Sequence, residues 1–281
     1  MSSNSPASPV RRGFVDVPFG QVHYREVQGT GRPLVLLHAS PGSSRQLVPL
    51  IEQLASGRRV IAPDTAGFGD SSPHPLAAPD ARDFAATTLA ALDALGLEEF
   101  DLYGSHTGAC IAAEIAIAQP GRVAHLVLDG VGLFEGAFLE SLMANYAPAF
   151  TPDLDGAYLS RAFQFLRDQC SFWPWYNRTR EGRREAGIMP APALHAWLLE
   201  LLKANETYPL GYHAAFTWPV RERLPMVPVP TLMMAASDDP LAANTAELAP
   251  TLSGARYESL PAASDPAFAA RRKAVVESFL G

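Results

Sequence analysis

The sequence predicts an α/β architecture: a mostly parallel, doubly wound sheet interrupted by a helical insertion. Three observations predict it. Short apolar runs that read as buried strands alternate with helix-period segments up to about residue 133. From 134 to 222 that rhythm stops, and only helix-like, aromatic-rich segments remain. It resumes with PTLMMAAS at 230–237 and ARYESLP at 255–261, before a closing amphipathic helix, PAFAARRKAVVESFL.

Each element has its own warrant. MSSNSPASPVRR (1–12) is polar and Pro/Ser-rich without an apolar centre, so it reads as a loose tail and not as a signal peptide. GFVDVP and QVHYREVQG alternate apolar and polar residues around Phe19-Gly20, the pattern of an antiparallel hairpin. PLVLLHA (33–39) and RRVIAPD (58–64) read as strands buried on both faces. Between them Leu47, Leu50, Ile51 and Leu54 share one helical face. A helix is predicted over 80–96, with Asp80 as N-cap and Gly96 as its stop. FDLYGS, TGACIAAEIAIAQ and VAHLVLDGV then read as strand, helix and strand. This division gives a core of 13–133 and 223–281 and a helical cap of 134–222. The insertion is far longer than an ordinary connection, as is typical of pieces that cover the carboxyl ends of strands, where open α/β sheets hold ligands.

Composition narrows the partners. The net charge is −7 and the basic residues are dispersed, so a nucleic-acid partner is not expected. No stretch approaches the roughly 18 apolar residues of a membrane span, so none is expected there either. The two cysteines, Cys110 and Cys170, cannot frame a disulfide-rich fold, and a reduced, cytoplasmic compartment is the default. No His/Cys/carboxylate group has metal-ligand spacing, and Gly-rich phosphate signatures are absent, so neither metal nor cofactor is predicted. The expected partner is a small-molecule substrate; a homodimer is compatible with the sequence.

Four signatures in order carry a family resemblance: LVLLHASPGSS, VIAPDTAGFGDSS, GSHTG and VPTLMMAASDDP. Together with the cap they resemble the α/β-hydrolase superfamily across nearly all of 13–281. The resemblance implies that GSHTG is a nucleophile elbow, whose Gly104 and Gly108 let strand and helix approach. It implies an oxyanion hole from the backbone N–H groups of Thr107 and about Ala39. It places the catalytic acid at Asp239, with Asp238 as fallback, and offers Asp129 as a second acid position. His38 becomes a loop-organising residue at the pocket.

The departures are informative. Where the family puts Ser, Asp or Cys at the elbow centre, this chain has His106. Where the family puts a histidine after the last strand, SLPAASDPAF carries Asp265 beside Ser264, and no histidine follows His213. An imidazole at the elbow reaches farther than a seryl oxygen and can meet Asp239 directly, with Asp265 as a second carboxylate. Such a dyad suits general-base or nucleophilic hydrolysis of an ester, lactone or C–C bond. It equally suits a lyase or isomerase, and a non-catalytic binding member of the fold is the third reading. Trp173, Trp175, Tyr212 and His213 are the cap residues predicted to line the pocket, His213 being the one later histidine able to replace the missing base.

Overall fold

The predicted alternation becomes an eight-stranded sheet in the computed structural model, which describes residues 9–281. Its strands are β1 Arg11–Val17, β2 Gly20–Val27, β3 Leu34–Leu37, β4 Val60–Pro63, β5 Phe100–Ser105, β6 Val123–Asp129, β7 Thr231–Ala236 and β8 Arg256–Leu260. Their spatial order is β1-β2-β4-β3-β5-β6-β7-β8. The first two pairings, β1 with β2 and β2 with β4, are antiparallel; all the others are parallel. The parallel strands β3, β4 and β7 are buried at every residue, which is why LVLL, VIAP and TLMMAA are continuous apolar runs.

The hairpin begins earlier than predicted. Arg11 and Arg12, assigned to the tail, pair with Glu26 and Arg25 as the first residues of β1. The remainder of the predicted tail, up to residue 8, lies outside the described residues.

Helices cover both faces. α1 Val48–Leu54, α2 Ala81–Ala94 and α3 Thr107–Ala118 connect the first strands; α9 Ala242–Leu248 and α10 Phe268–Leu280 follow β7 and β8. Asp80 caps α2 in a reciprocal box with Asp83, and Gly96 takes a φ of +68° just past its end, as the sequence predicted. Two apolar clusters result. One joins α2 and α3 to the insertion; the other packs α1 and α10 on the opposite face.

The insertion consists of α4 Gly136–Asn145, α5 Ala157–Ser171, α6 Ala191–Lys203, α7 Tyr208–Phe216 and α8 Val220–Arg223. Here the sequence reading needs correction: residues 172–190 are not helical. Pro174, Gly182, Gly187 and Pro190 interrupt any helix, and the segment is held by an isolated bridge between Phe172 and Arg183. Polar clasps tie the insertion to the core. Ser43 donates to Glu200 at 2.7 Å, and Trp218 and Arg223 both donate to buried Glu114, at 2.7 and 2.6 Å.

Candidate active site

The site begins where β5 turns into α3. His106 takes φ 50° and ψ −110°, and is the only non-glycine residue with positive φ among the described residues. The turn closes because Gly104 and Gly108 lack side chains. A Cβ on Gly104 would lie 2.2 Å from the Gly108 carbonyl oxygen, and one on Gly108 would lie 2.4 Å from that of Leu37. Backbone bonds from His106 N–H to Asp129 O and from Ala109 N–H to His106 O, at 2.9 and 2.8 Å, lock the strained conformation.

This geometry drives the imidazole toward β7. Its Nε2 lies 2.7 Å from Asp239 Oδ2. The other carboxylate oxygen accepts the Leu241 N–H at 2.7 Å, so Asp239 is fixed by its own turn. Room for the ring comes from Gly130, whose added Cβ would lie 2.6 Å from His106 Cδ2. Since a carboxylate only accepts, Nε2 carries the proton and Nδ1 holds the lone pair of the neutral ring. Nδ1 has no hydrogen-bond partner among the described residues, and 35% of the side chain stays exposed, on a cavity. Burial disfavours the charged ring, but the charge and hydrogen bond of Asp239 outweigh it and lift His106 above its ordinary value. Reciprocally, burial raises Asp239 but the ring pulls it below the usual carboxylate range.

The cavity, about 280 Å³, lies between sheet and insertion. Core residues Ala39, Thr107 and Asp239 form one side; Trp173, Tyr212, Phe216 and Trp218 form the other. Neither the Ala39 nor the Thr107 N–H has a hydrogen-bond partner among the described residues, and both residues line the cavity.

The remaining predicted residues divide clearly. Trp173 and Tyr212 line the cavity as expected. Trp175 does not: its indole donates to Tyr146 O at 2.8 Å and packs on Phe165 within the insertion. His38 is buried beneath the cavity, where Nδ1 donates to Ala39 O and Nε2 accepts the Thr65 N–H, both at 3.0 Å. These two partners commit both nitrogens, and burial holds the ring neutral. His213 sits half-buried on α7, outside the cavity lining. Asp265 is exposed and accepts the N–H of Ala267 in its own turn at 2.7 Å, so it does not join the ring. The second carboxylate near the ring is instead Asp129, whose charge acts on His106 and which accepts the Tyr103 hydroxyl. Asp238, the fallback acid, accepts the Ala263 N–H at 2.8 Å.

Sequence reasoning missed Gln169 and Arg184. Gln169 is buried in α5 and lines the cavity; both Tyr146 and Tyr212 hydroxyls donate to its Oε1, and its Nε2 has no partner among the described residues. Arg184 donates from Nη1 to Gln169 O at 2.8 Å; its Nε is buried without a partner, and no carboxylate pairs with it among the described residues. Nothing in the sequence separates it from the neighbouring Arg180 and Arg183. One His/carboxylate group, His23, Asp64 and Asp70, is close enough to share an ion. Asp64 is already committed, however, to the Ser44 and Asp70 N–H groups and to His23 Nδ1.

The family model described as the alpha/beta hydrolase fold matches residues 32–267. The chain belongs to the α/β-hydrolase family. Among its relatives, a 2-hydroxymuconate semialdehyde hydrolase from a Pseudomonas species is 40% identical over 181 residues, covering 58% of this chain and 61% of that protein. A 2-hydroxy-6-oxo-2,4-heptadienoate hydrolase from Pseudomonas putida is 33% identical over 191 residues, covering 63% of this chain and 67% of that one. The match to the first of these thus spans less than two thirds of that relative's length. Among solved structures, a hydrolase from Pseudomonas aeruginosa superposes with a TM-score of 0.72 at 24% identity, covering 96% and 98% of the two chains. The enol-lactonase from Burkholderia xenovorans gives 0.71 at 21%, covering 95% and 99%. These two likenesses bear on the fold. In the α/β-hydrolase fold the elbow delivers one side chain to the cavity, and here that side chain is an imidazole.

Proposed function

We propose that this α/β hydrolase is a cofactor-free enzyme that hydrolyses a small organic substrate, with His106 as general base. The observation that carries this reading is the 2.7 Å contact between His106 Nε2 and Asp239, which leaves Nδ1 as the free nitrogen of a residue that lines the cavity. Ser105 lies outside the cavity lining, and the Thr107 hydroxyl oxygen accepts the Ser40 N–H at 3.4 Å, so neither is placed as a nucleophile.

The chemistry follows from these positions. Water gives a proton to Nδ1 while its oxygen bonds to a substrate carbonyl carbon. The resulting oxyanion is held by the N–H groups of Ala39 and Thr107. Collapse re-forms the carbonyl and breaks the bond to the leaving group, which takes the proton from the imidazolium. Asp239 stabilises that imidazolium throughout. The relatives' named substrates sharpen the class. A 2-hydroxy-6-oxo dienoate contains a ketone and a carboxylate but no ester, so its hydrolysis cuts a carbon–carbon bond. Arg184, unpaired on the cavity wall, supplies the counter-charge for such a carboxylate. C–C hydrolysis of a small keto acid is therefore our preferred reading, ahead of ester or lactone hydrolysis.

The test is a substrate screen of wild type and His106→Ala with keto acids, esters and lactones. A turned-over substrate should lose at least about a thousandfold in kcat in the variant, with the thermal unfolding transition retained. Undiminished turnover in His106→Ala would overturn the reading.

A further inference from the structure

A second hollow adjoins the main cavity at Asp239, and His106 is not part of its lining. It is lined by Ser237, Asp238, Ala262, Ser264 and Glu185, and shares Trp173, Arg184, Asp239 and Pro240 with the main cavity. Its position follows from the sequence. In the fold, the loop after the last strand brings a histidine ring against the acid. Here that loop follows β8, ending at Leu260, and offers the small side chains of Ala262 and Ser264 instead. The segment is rigidly placed: Ser237 N–H bonds to Leu260 O at 3.0 Å, and Ala263 N–H to Asp238 Oδ1 at 2.8 Å. The two spaces differ in character. The main cavity is walled by Phe134, Trp173, Phe216 and Trp218; the hollow is walled chiefly by hydroxyls, carboxylates and Arg184. Arg184 spans the boundary, with Nη1 on Gln169 O at 2.8 Å and its other end turned to Asp238.

We propose that this hollow is a water port: the space left by the missing histidine admits the hydrolytic water beside Trp173, Arg184 and Pro240, separately from the organic substrate. The proposal rests on His106-dependent hydrolysis as the reaction. A bound substrate filling the aromatic cavity closes that route to solvent, whereas the polar hollow stays open to it. The port thus gives a second use to a departure that otherwise only removes a triad member. Water admitted there passes Trp173, Arg184 and Pro240 into the main cavity, which His106 lines; there it loses a proton to the lone pair on His106 Nδ1 and adds through oxygen to the carbonyl carbon.

The test plugs the hollow. Ala262→Trp and Ser264→Trp each place an indole in it, while Ala263→Trp adds the same bulk to the same loop at an exposed position outside the lining. Steady-state kinetics are measured on a substrate whose turnover requires His106, which separates failure of the port from failure of the base. Both plugs should lower kcat about tenfold or more at unchanged KM, with Ala263→Trp at the wild-type value. Wild-type kcat in both plugged variants, a compensating rise in KM, or an equal loss in Ala263→Trp would overturn the port.

Discussion

The ring of His106 owes its direction to neighbours that have no side chain. Its strained backbone points the imidazole at β7, and only a glycine at 130 leaves space for Nε2 to reach Asp239. Gly130 is itself at φ +76°. Gly130→Ala would place a methyl group into the ring and strain the backbone. It should lower kcat at least about tenfold and destabilise the fold by about 1 kcal/mol or more, read from kinetics and urea unfolding. At this scale the sequence was partly legible. His106 and Asp239 stood inside motifs that fix strand, turn and helix, so their meeting could be expected. Asp265 could not be placed, because alignment on Leu260-Pro261 fixes a loop's position and not the direction of its side chains. Asp265 instead closes its own turn. Arg184 and Gln169 were invisible for the same reason: they come from irregular backbone and from a helix face whose orientation only packing decides.

The elements do their work through contact. Helix α3 is buried over nearly its whole length, so its N-terminus presents Thr107 to the cavity without freedom to shift. On the same helix, Glu114 is the anchor for the returning insertion, receiving the Trp218 indole and both ends of the Arg223 guanidinium. Arg223→Ala would leave a buried carboxylate short of its cation. We expect a loss of about 3 kcal/mol in denaturant unfolding, together with altered KM, since Trp218 lines the cavity. Element order and the sheet's strands were readable because burial on both faces forces continuous apolar runs. The helices of the insertion were readable from their apolar spacing, whereas 172–190 between them carries no helix, because Pro174 and Pro190 cannot donate helical hydrogen bonds and Gly182 and Gly187 disfavour the helix.

Across the whole molecule, the two apolar clusters fix the sheet, and the buried carboxylate of Asp64 ties the loops after β3 and β4 through the Ser44 and Asp70 N–H groups. Asp64 shows how this tie responds to acid. Burial would raise its carboxyl, but His23, Ser44 and Asp70 hold it at about 2, below the ordinary 3.8. A depressed carboxylate stabilises the fold above its unfolded value and loses that contribution as pH falls toward its folded value. Between pH 5 and about pH 2, unfolding free energy should therefore drop by about 2 kcal/mol more in wild type than in Asp64→Asn, as read by urea titration at each pH. Equal slopes would remove Asp64 from the account. Overall architecture was legible at this scale because one long insertion in an alternating pattern admits few folds. Chemistry was less so, because the departures at 106 and 265 sit in a fold that hosts many reactions.

The central claim is that His106, tuned by Asp239, is the working base. It is tested most directly by the pH dependence of kcat/KM in wild type and Asp239→Asn. The base works unprotonated, and Asp239 lifts the ring above 6.5, so the wild-type rate should rise with pH through a midpoint above that value. Without the carboxylate the imidazolium loses its support, and the midpoint should move down. A profile flat across about pH 5 to 9, or a midpoint unmoved by Asp239→Asn, would contradict it.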